Sequence, residues 1–382
     1  MPKLQYDYII IGAGAAGLML ADTMGKDAFF AEKSILLLDK DTKETNDRTW
    51  CFWEKGAGLF EDIIYKEWNH IFFAGKGFSK RYAIPPYTYK MVRGIDFYSA
   101  YLARIRTYPN ITFKNESVTG IDEKQNEVHI HTSAHTYSAK EVLNSVFDYK
   151  MAIRQNTYPV LQQHFIGWVV KTKKPVFDAS QATYMDFSIA QKGNTRFMYI
   201  LPYSTDTALI EYTLFSEKLL PKDAYEKAIK DYLHDKLDCS DYEIVEKEQG
   251  SIPMTCYDFK EHHTDRIRFI GTAGGWAKPS TGYTFMSTSK KIPQLIAFLK
   301  TGKPLKELSF KNRFWFYDLL LLDVLHSDNE KGHLIFQKLF KKRDPQLIFK
   351  FLDEDTNIFE DIYYILGCPK IPFTKALIKR LF

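Results

Sequence analysis

Three glycines near the start of the chain have the spacing of a turn that binds a dinucleotide. They lie in the segment Gly12-Ala13-Gly14-Ala15-Ala16-Gly17. In such a turn Gly12 allows the sharp bend, Gly14 lets the backbone approach the pyrophosphate, and Gly17 lets a helix pack on a strand. Asp39 follows at a distance suited to accept hydrogen bonds from the adenosine ribose. The sequence therefore predicts a dinucleotide site, with a purely structural glycine-rich turn as the alternative.

The surrounding sequence supplies the elements that would position these residues. Residues 6–11 are β-branched and aromatic, residues 18–24 have helical character, and residues 34–39 form a second apolar run. This order is typical of a βαβ unit, in which the first amide groups of the helix are free to bind phosphate. The motif does not separate NAD from FAD. A dinucleotide fold that begins at residue 6 favours an FAD-type flavoprotein, by analogy of fold alone.

Later segments predict a second sheet and a return to the first. Between residues 158 and 250 most runs alternate apolar and polar side chains, which is typical of an antiparallel sheet. Residues 266–271 again have the pattern of a buried strand, and a helix is expected to start near residues 279–282. Residues 43–92 show no clear periodicity, and the chain from residue 285 onward is expected to be helical.

The predicted fold is α/β (α+β). A Rossmann-type FAD-binding domain is interrupted by an antiparallel-sheet substrate domain and followed by a helical C-terminal region. The predicted boundaries are residues 1–155 and 252–300 for the discontinuous FAD-binding domain, 156–251 for the substrate domain, and 301–382 for the helical region.

Composition excludes several functional classes. Of 382 residues, 45% are hydrophobic and 26% are charged, which indicates a globular protein. A net charge of +5 gives no sign of nucleic-acid binding. The four cysteines are scattered, and His129 and His131 favour a solvated strand face over a metal pair, so no metal is expected. Aromatic residues make up 15% of the chain, which predicts a large aromatic core or a pocket for a π-rich ligand.

The sequence predicts no membrane insertion and leaves contact with a membrane surface open. No run reaches the roughly 18 apolar residues of a membrane-spanning helix, and no signal peptide is predicted. Residues 331–382 hold 10 basic and 6 acidic residues among apolar ones. Two interpretations of this tail stay open: a solvated helical face, or docking on anionic lipid.

Several segments together resemble the flavin-dependent lycopene β-cyclases of the bacterial type. The resemblance covers most of the chain, and the joint order of the segments is more specific than any one of them. Besides the glycine segment, they are Arg48-Thr49-Trp50-Cys51-Phe52-Trp53, Gln163-His164-Phe165-Ile166-Gly167, Met185-Asp186, Tyr199-Ile200-Leu201-Pro202, Leu209-Ile210-Glu211-Tyr212-Thr213, Ser251-Ile252-Pro253-Met254 and residues 271–283.

The resemblance implies an activity and its cofactor. It implies noncovalent FAD, active in the reduced form with NAD(P)H as the electron source. The implied reaction is a non-redox isomerisation that closes the ψ-ends of lycopene into β-rings, giving γ-carotene and then β-carotene. Lycopene and other ψ-ended carotenoids are the implied substrates. The implied location is peripheral, on the cytoplasmic side of a membrane; no protein partner is indicated.

Carried over to this sequence, the resemblance makes Glu211 the catalytic acid. Leu209, Glu211 and Thr213 share one face of the predicted strand. Tyr212 stands where the family usually has a second acid, and Thr272 stands where the wider flavoprotein class commonly has Asp. An ordinary surface ion pair is the alternative for Arg48. The residues expected to hold the cofactor are Gly12, Ala13, Gly14, Ala16, Gly17, Asp39, Arg48, Gly271, Thr272, Gly282 and Tyr283.

Two other functional classes fit the same fold. A flavin monooxygenase or a prenyl-chain or carotenoid reductase would consume a nicotinamide cofactor stoichiometrically. A membrane-associated flavin- or carotenoid-binding protein would perform no reaction. Product analysis with reduced FAD and lycopene separates these classes.

Overall fold

The architecture is described for residues 4–381 of a computed structural model. Residues 1–3 and 382, at the outer ends of the predicted units 1–155 and 301–382, lie outside the described residues. The strands, in chain order, are β1 (Gln5–Ile11), β2 (Ile35–Asp39), β3 (Thr49–Lys55), β4 (Lys66–Trp68), β5 (His70–Gly75), β6 (Phe78–Ala83), β7 (Tyr87–Arg93), β8 (Ile111–Asn115), β9 (Val118–Glu123), β10 (Val128–Thr132), β11 (Thr136–Asn144), β12 (Val160–Thr172), β13 (Ala182–Asp186), β14 (Thr195–Pro202), β15 (Thr207–Ser216), β16 (Tyr242–Thr255) and β17 (Ile267–Phe269). The α-helices are α1 (Ala15–Lys26), α2 (Gly94–Ile105), α3 (Tyr149–Ile153), α4 (Lys222–Leu237), α5 (Phe285–Leu299), α6 (Arg313–Ser327), α7 (Gly332–Lys342), α8 (Pro345–Leu352), α9 (Ile358–Ile365) and α10 (Lys370–Leu381).

The first sheet is built around the predicted βαβ unit. Its strand order is β8-β2-β1-β11-β10-β9, and β17 also pairs with β11. Strand β1 runs parallel to β2 and β11, with Ile9 opposite Leu36 and Val142. These strands are buried on both faces, which is why each is an almost continuous apolar run. Because β17 runs parallel to β11, the chain leaves this sheet and later returns to it, as the sequence predicts.

The second sheet covers the carboxyl side of the first. Its order is β16-β12-β15-β14-β13-β5-β6, and its pairs are antiparallel except for β13 with β5. On one face, Ile210 and Tyr212 of β15 pack against Tyr225 and Ile229 of α4. Leu209 of the same strand belongs to the larger core on the opposite face, where helices α6–α8 also pack. Successive side chains of β15 therefore point alternately toward helix α4 and toward the larger core on the other face of the sheet.

Residues 43–92 are more regular than the sequence suggests. The sequence shows no clear periodicity here, yet this stretch contains β3–β7. Strands β3, β7 and β4 form a small third sheet, whereas β5 and β6 extend the second sheet. Strand β7 is buried over most of its length on both faces, so it carries no period-two signal. The predicted domain boundaries stay a prediction, and β5 and β6 join the substrate sheet from inside residues 1–155.

The remaining helices follow the predicted order. The chain from Phe285 onward is mainly helical, from α5 to α10. The predicted α/β (α+β) class, with a Rossmann-type sheet and an antiparallel sheet, is confirmed. Within residues 4–381, every helix is too short or too polar to cross a membrane.

Candidate active site

A large cavity joins the two sheets. Its volume is about 980 Å³, and it runs from the first turn of α1, past the inner face of β15, to helices α9 and α10. At one end it is lined by backbone-rich turns, which include Gly14, Gly271 and Gly282. At the other end it is lined by apolar side chains such as Phe336 and Leu377. The shape suits a polar cofactor at one end and a long apolar molecule at the other.

The glycine turn at the end of β1 has the geometry expected of a dinucleotide site. Gly12 has φ +94°, a conformation that favours glycine. A Cβ atom at Gly17 would lie 1.8 Å from the carbonyl oxygen of Gly12, so only glycine lets α1 pack this closely. A Cβ atom at Gly14 would meet nothing within 4 Å. The chain thus leaves open space beside Gly14, next to the first amide groups of α1.

Asp39 supports this turn directly. Its carboxylate accepts a hydrogen bond from the backbone N–H of Ala13 at 2.5 Å, and Lys43 lies 3.4 Å from it. Asp39 therefore fixes the glycine turn from the end of β2. The expected contact of Asp39 with a ribose stays a prediction.

The structure brings most of the predicted cofactor residues to one cavity. Gly14, Ala16, Arg48, Gly271, Thr272, Gly282 and Tyr283 line it. The other four, Gly12, Ala13, Gly17 and Asp39, form the turn behind the lining. The Arg48 side chain is 54% exposed and pairs with Asp47 at 2.7 Å. Arg48 lines the cavity, as expected of a cofactor-binding residue, and it also forms an ordinary ion pair, which was the alternative.

The helix expected near residues 279–282 begins slightly later. Helix α5 starts at Phe285, and residues 278–282 form a tight turn in which the N–H of Gly282 donates to the carbonyl of Lys278 at 2.8 Å. Gly282 has φ +71°, which is incompatible with a helix interior and explains the delayed start. The N-cap residue Thr284 and the first residue Phe285 both line the cavity.

Buried polar atoms without partners indicate that the cavity holds a polar ligand. Within residues 4–381, three such atoms belong to cavity-lining side chains: Gln163 Oε1, Thr213 Oγ1 and Thr288 Oγ1. Each buried group left without a hydrogen bond costs about 1–3 kcal/mol. A flavin presents donors and acceptors that such groups can satisfy. Together with the open space beside Gly14, these atoms fit FAD.

Glu211 lies at the centre of the cavity wall. It is 8% exposed and shares the inner face of β15 with Leu209 and Thr213. Burial raises the pKa of Glu211 well above its ordinary value, and a second carboxyl group, Glu248, raises it further. A carboxyl group in this environment holds its proton near neutral pH. It can therefore donate a proton to a substrate that enters the cavity.

Glu248 is a site residue that the sequence reasoning missed. Gly167 of β12 pairs with Glu211 on one side and with Glu248 of β16 on the other. The hydroxyl of Thr49 donates to Glu248 Oε2 at 2.9 Å. Tyr212, which replaces the second acid of the family motif, faces α4 instead. The second carboxyl group near Glu211 thus comes from a different strand.

Tyrosine side chains form the wall beside Glu211. Tyr199 of β14 lies opposite Glu211 in the strand register. The hydroxyl groups of Tyr89 and Tyr199 are 2.6 Å apart, and those of Tyr89 and Tyr283 are 3.3 Å apart. Desolvation raises the pKa of all three tyrosines well above its ordinary value, so they stay neutral. Their rings offer negative π-faces to a cation. Tyr89, in a stretch without visible periodicity, was missed by sequence reasoning.

The two histidines with strand spacing lie outside the site. His129 and His131 belong to β10 and contact Glu127 at 2.8 Å and Asp122 at 2.9 Å, respectively. Neither lines the cavity. Their surroundings are those of a solvated strand face.

The fold is that of FAD-dependent oxidoreductases and halogenases. A geranylgeranyl bacteriochlorophyll reductase-like protein from Thermoplasma acidophilum superposes with a TM-score of 0.62 at 11% identity, covering 100% of both chains. A flavoprotein/dehydrogenase from Cytophaga hutchinsonii gives a TM-score of 0.62 at 12% identity, covering 99% of both chains. A variant of the halogenase PltM, solved with FAD, gives 0.60 at 11% identity and covers 97% of this chain and 87% of its own. At these identities the likeness defines the fold.

The family is defined more narrowly by sequence. The family model described as lycopene cyclase protein matches residues 7–378, so the chain belongs to the lycopene cyclase family. It is 26% identical over 204 residues to a lycopene beta-cyclase from Pseudescherichia vulneris, covering 50% of this chain and 52% of that protein. It is 31% identical over 147 residues to a lycopene beta-cyclase from a Paracoccus species, covering 37% of each. The chain thus spans about half or less of the length of these curated relatives.

Proposed function

We propose that the protein is an FAD-dependent lycopene β-cyclase that isomerises lycopene and other ψ-ended carotenoids without net redox change. The observation that carries the proposal is Glu211: a buried carboxyl group on the wall of a cavity that joins a dinucleotide turn to an apolar tunnel. Membership of the lycopene cyclase family supports the same activity.

The reaction requires an acid because lycopene has no polar group to activate. Glu211 donates its proton to a terminal double bond, and a cation forms on the neighbouring carbon. The adjacent double bond attacks this cation, which closes the ring. Loss of a ring proton then forms the β-ring double bond, so atoms and electrons balance within one molecule. No electron is gained or lost by the substrate, which is why the reaction is an isomerisation.

The tyrosine wall stabilises the positive charge. Tyr199 and Tyr283 stay neutral and line the same cavity as Glu211, while Tyr89 is buried behind them and contacts both hydroxyl groups. A cation over an aromatic face gains about 2 kcal/mol when both are desolvated. The apolar tunnel excludes water that would otherwise capture the cation. These residues therefore favour cyclisation over addition of water.

FAD would be held by the glycine turn and by the turn before α5. Gly12, Gly14 and Gly17 shape the phosphate site, while Gly282 and Tyr283 line the adjoining part of the cavity. When bound in the reduced form, FAD supplies negative charge that stabilises the carbocation. NAD(P)H is the proposed electron source for that reduction.

Cyclisation in deuterated water tests the proposal. With FAD reduced by dithionite, each new ring should carry deuterium from the protonation step, and reduced flavin should persist. Mass spectrometry of the carotenoid and flavin absorbance measure the two quantities. Oxidation of one flavin per product molecule would contradict the proposal and favour a reductase. Bound lycopene recovered unchanged would favour a carotenoid-binding protein.

An exposed apolar surface surrounds the open end of the cavity. Ile365, Leu366 and Leu377 of α9, α10 and the loop between them line the tunnel. Large apolar side chains beside them face outward: Ile358, Phe359, Ile362, Tyr363, Ile371, Ile378 and Leu381, of which Phe359 is 84% exposed. We name these seven residues the apolar rim. An exposed apolar surface of this kind favours contact with the acyl chains of a membrane, where lycopene is dissolved.

The apolar rim changes the role of the basic tail. Arg380 pairs with Asp323 at 2.6 Å, so its charge is used inside the protein. Docking is therefore proposed to depend on apolar contact first, with Lys370 and Lys375 of α10 contributing attraction to anionic lipid. The cytoplasmic side stays a prediction from the sequence.

Two acidic substitutions in the apolar rim should release the protein from vesicles. The double variant Phe359→Glu/Ile371→Glu is expected to bind liposomes at least about tenfold more weakly, since burying each side chain contributes about 1.5–3 kcal/mol. Co-sedimentation with vesicles measures the change. Leu59→Glu is the matched control, because Leu59 and Ile371 are both 72% exposed but Leu59 lies outside the rim. Equal binding of the double variant and the wild type would refute the membrane role of the rim.

A further inference from the structure

A glycine on the central strand lets two carboxyl groups meet. Gly167 of β12 pairs with Glu211 of β15 and with Glu248 of β16, one on each side. A Cβ atom at Gly167 would lie 2.8 Å from Cγ of Glu211 and 3.2 Å from Cγ of Glu248. Both side chains therefore extend over the glycine from opposite strands. Any larger residue at this position would separate them.

The two carboxyl groups have different surroundings. The hydroxyl of Thr49 donates to Glu248 at 2.9 Å, and the positive charge of Arg48 acts on the same group. Glu211 has no such donor among the described residues and faces the cavity and Leu209. Donors and a cation favour a carboxylate, whereas an apolar wall favours a neutral carboxyl group. Burial raises the pKa of Glu248 as well, but Thr49 and the charge of Arg48 oppose that rise and have no counterpart at Glu211 among the described residues, so the charge is best placed on Glu248 and the proton on Glu211.

We propose that Glu248 is a positioning residue for Glu211: the two side chains share one proton across the space left by Gly167, with Thr49 and Arg48 stabilising Glu248 as the carboxylate. The inference rests on the proposed role of Glu211 as the acid. Glu248 does not line the cavity, so it acts through Glu211 rather than on the substrate.

The shared proton accounts for both halves of the acid–base cycle. Before reaction, the negative charge of Glu248 keeps Glu211 protonated. When Glu211 gives its proton to the substrate, an O–H bond breaks, a C–H bond forms, and two carboxylates are left side by side. Their repulsion makes the pair a strong acceptor for the proton that the ring releases. That proton restores the starting state, so each ring consumes no net proton.

Several other charged or titratable groups lie near the pair. Tyr199 lies in β14 and Tyr203 just after it. Cys51 lies in β3, Arg48 just before β3, and Glu246 in β16. Desolvation raises the pKa of Cys51, Tyr199 and Tyr203, which keeps them neutral. Glu246 is exposed and contacts Asn46. Among the groups that face Glu211 inside this wall, the Glu211–Glu248 pair therefore accounts for a pH-dependent change in protonation.

The test replaces Glu248 by Gln in the FAD-bound protein. Loss of the neighbouring charge lowers the pKa of Glu211, so the alkaline limb of the pH–rate profile for cyclisation should shift down by about one pH unit or more. The infrared band of the protonated carboxyl group, measured with oxidised FAD and no substrate, should disappear at correspondingly lower pH. Glu248→Asp should restore part of both shifts. Glu243→Gln, the same change at an exposed position of β16, should shift neither.

The infrared measurement separates this inference from the proposed function. The band is assigned by the difference between wild-type and Glu211→Gln spectra at each pH, which removes the contribution of other protonated carboxyl groups such as Glu141, whose pKa burial raises to about 7. If the band disappears at lower pH in Glu248→Gln than in the wild type, that result supports the shared proton. It does so even if the protein forms no β-rings. The inference would be overturned if Glu248→Gln cyclised lycopene with the pH–rate profile of the wild type and lost the band at the same pH as the wild type. The cyclase proposal would not be affected by that result.

Discussion

Glu211→Gln is expected to lower the rate of lycopene cyclisation by about 10²- to 10⁴-fold, the usual contribution of general acid–base catalysis. Gln preserves the shape and burial of the side chain but has no acidic proton to donate. The backbone pairing of β15 with β12 and β14 does not depend on this side chain, so the fold should persist. Single-turnover formation of γ-carotene, followed by chromatography, measures the loss.

Binding measurements separate loss of chemistry from loss of the site. Flavin absorbance and lycopene binding should be the same in Glu211→Gln and the wild type, because neither ligand requires the proton. Glu211→Asp, with a shorter reach, should cyclise at an intermediate rate. Glu217→Gln is the matched control: it makes the same change at an exposed residue directly after β15, which pairs with His326, and should cyclise normally. Near wild-type cyclisation by Glu211→Gln would place the acid elsewhere.

The dinucleotide half of the site was predictable because its signals are local. The apolar run of β1, the three glycines, helix α1 and the run of β2 lie within residues 5–39, and Gly12 and Gly17 each have a separate steric reason. Local sequence therefore specifies both the elements and their order. The return of the chain at β17 was also visible, since apolar residues of the segment 266–271 lead directly into a glycine-rich turn.

The second carboxyl group was not predictable from its own strand. Around Glu248, strand β16 is a run of charged and polar residues, Glu246-Lys247-Glu248-Gln249, and most of them are exposed. In sequence this is the pattern of a solvated edge. Glu248 meets Glu211 only because β12 lies between their strands and carries a glycine at the shared register position. Strand order is a property of the folded sheet, and one sequence does not reveal it.

Long-range pairing also explains the other differences. Strand β5 pairs with β13, with Ala182 opposite Ile71, so the two strands recognise each other across more than a hundred residues. Composition of the tail predicted its basic character, but it could not show which apolar residues face outward. The helical packing buries Tyr364 and leaves Phe359 in the same helix exposed. The apolar rim is thus a result of tertiary structure rather than of periodicity.

Gly14→Val is expected to abolish FAD binding while the chain stays folded. Gly14 has φ −81° and ψ −168°, which any residue adopts, and a Cβ atom there meets no protein atom within 4 Å. The protein itself should lose only about 1 kcal/mol, the cost of an unfavourable N-cap residue. The added side chain would instead fill the space beside the first amides of α1. Loss of two backbone hydrogen bonds to phosphate, at about 1.5–3 kcal/mol each, would weaken FAD binding about 100-fold or more.

Substitutions at two other glycines, Gly17 in α1 and Gly120 in β9, serve as comparisons for this prediction. At Gly17 a Cβ atom would lie 1.8 Å from the Gly12 carbonyl oxygen, so Gly17→Ala should lower the melting temperature severely as well as remove FAD. At Gly120 in β9 a Cβ atom would meet only His131, at an ordinary 3.5 Å, so Gly120→Val should keep both fold and FAD. Thermal unfolding and flavin absorbance of the purified variants separate the three outcomes. If a folded Gly14→Val protein keeps the FAD content of the wild type, the glycine turn is not part of the cofactor site. The space beside Gly14 would then not be needed for FAD binding.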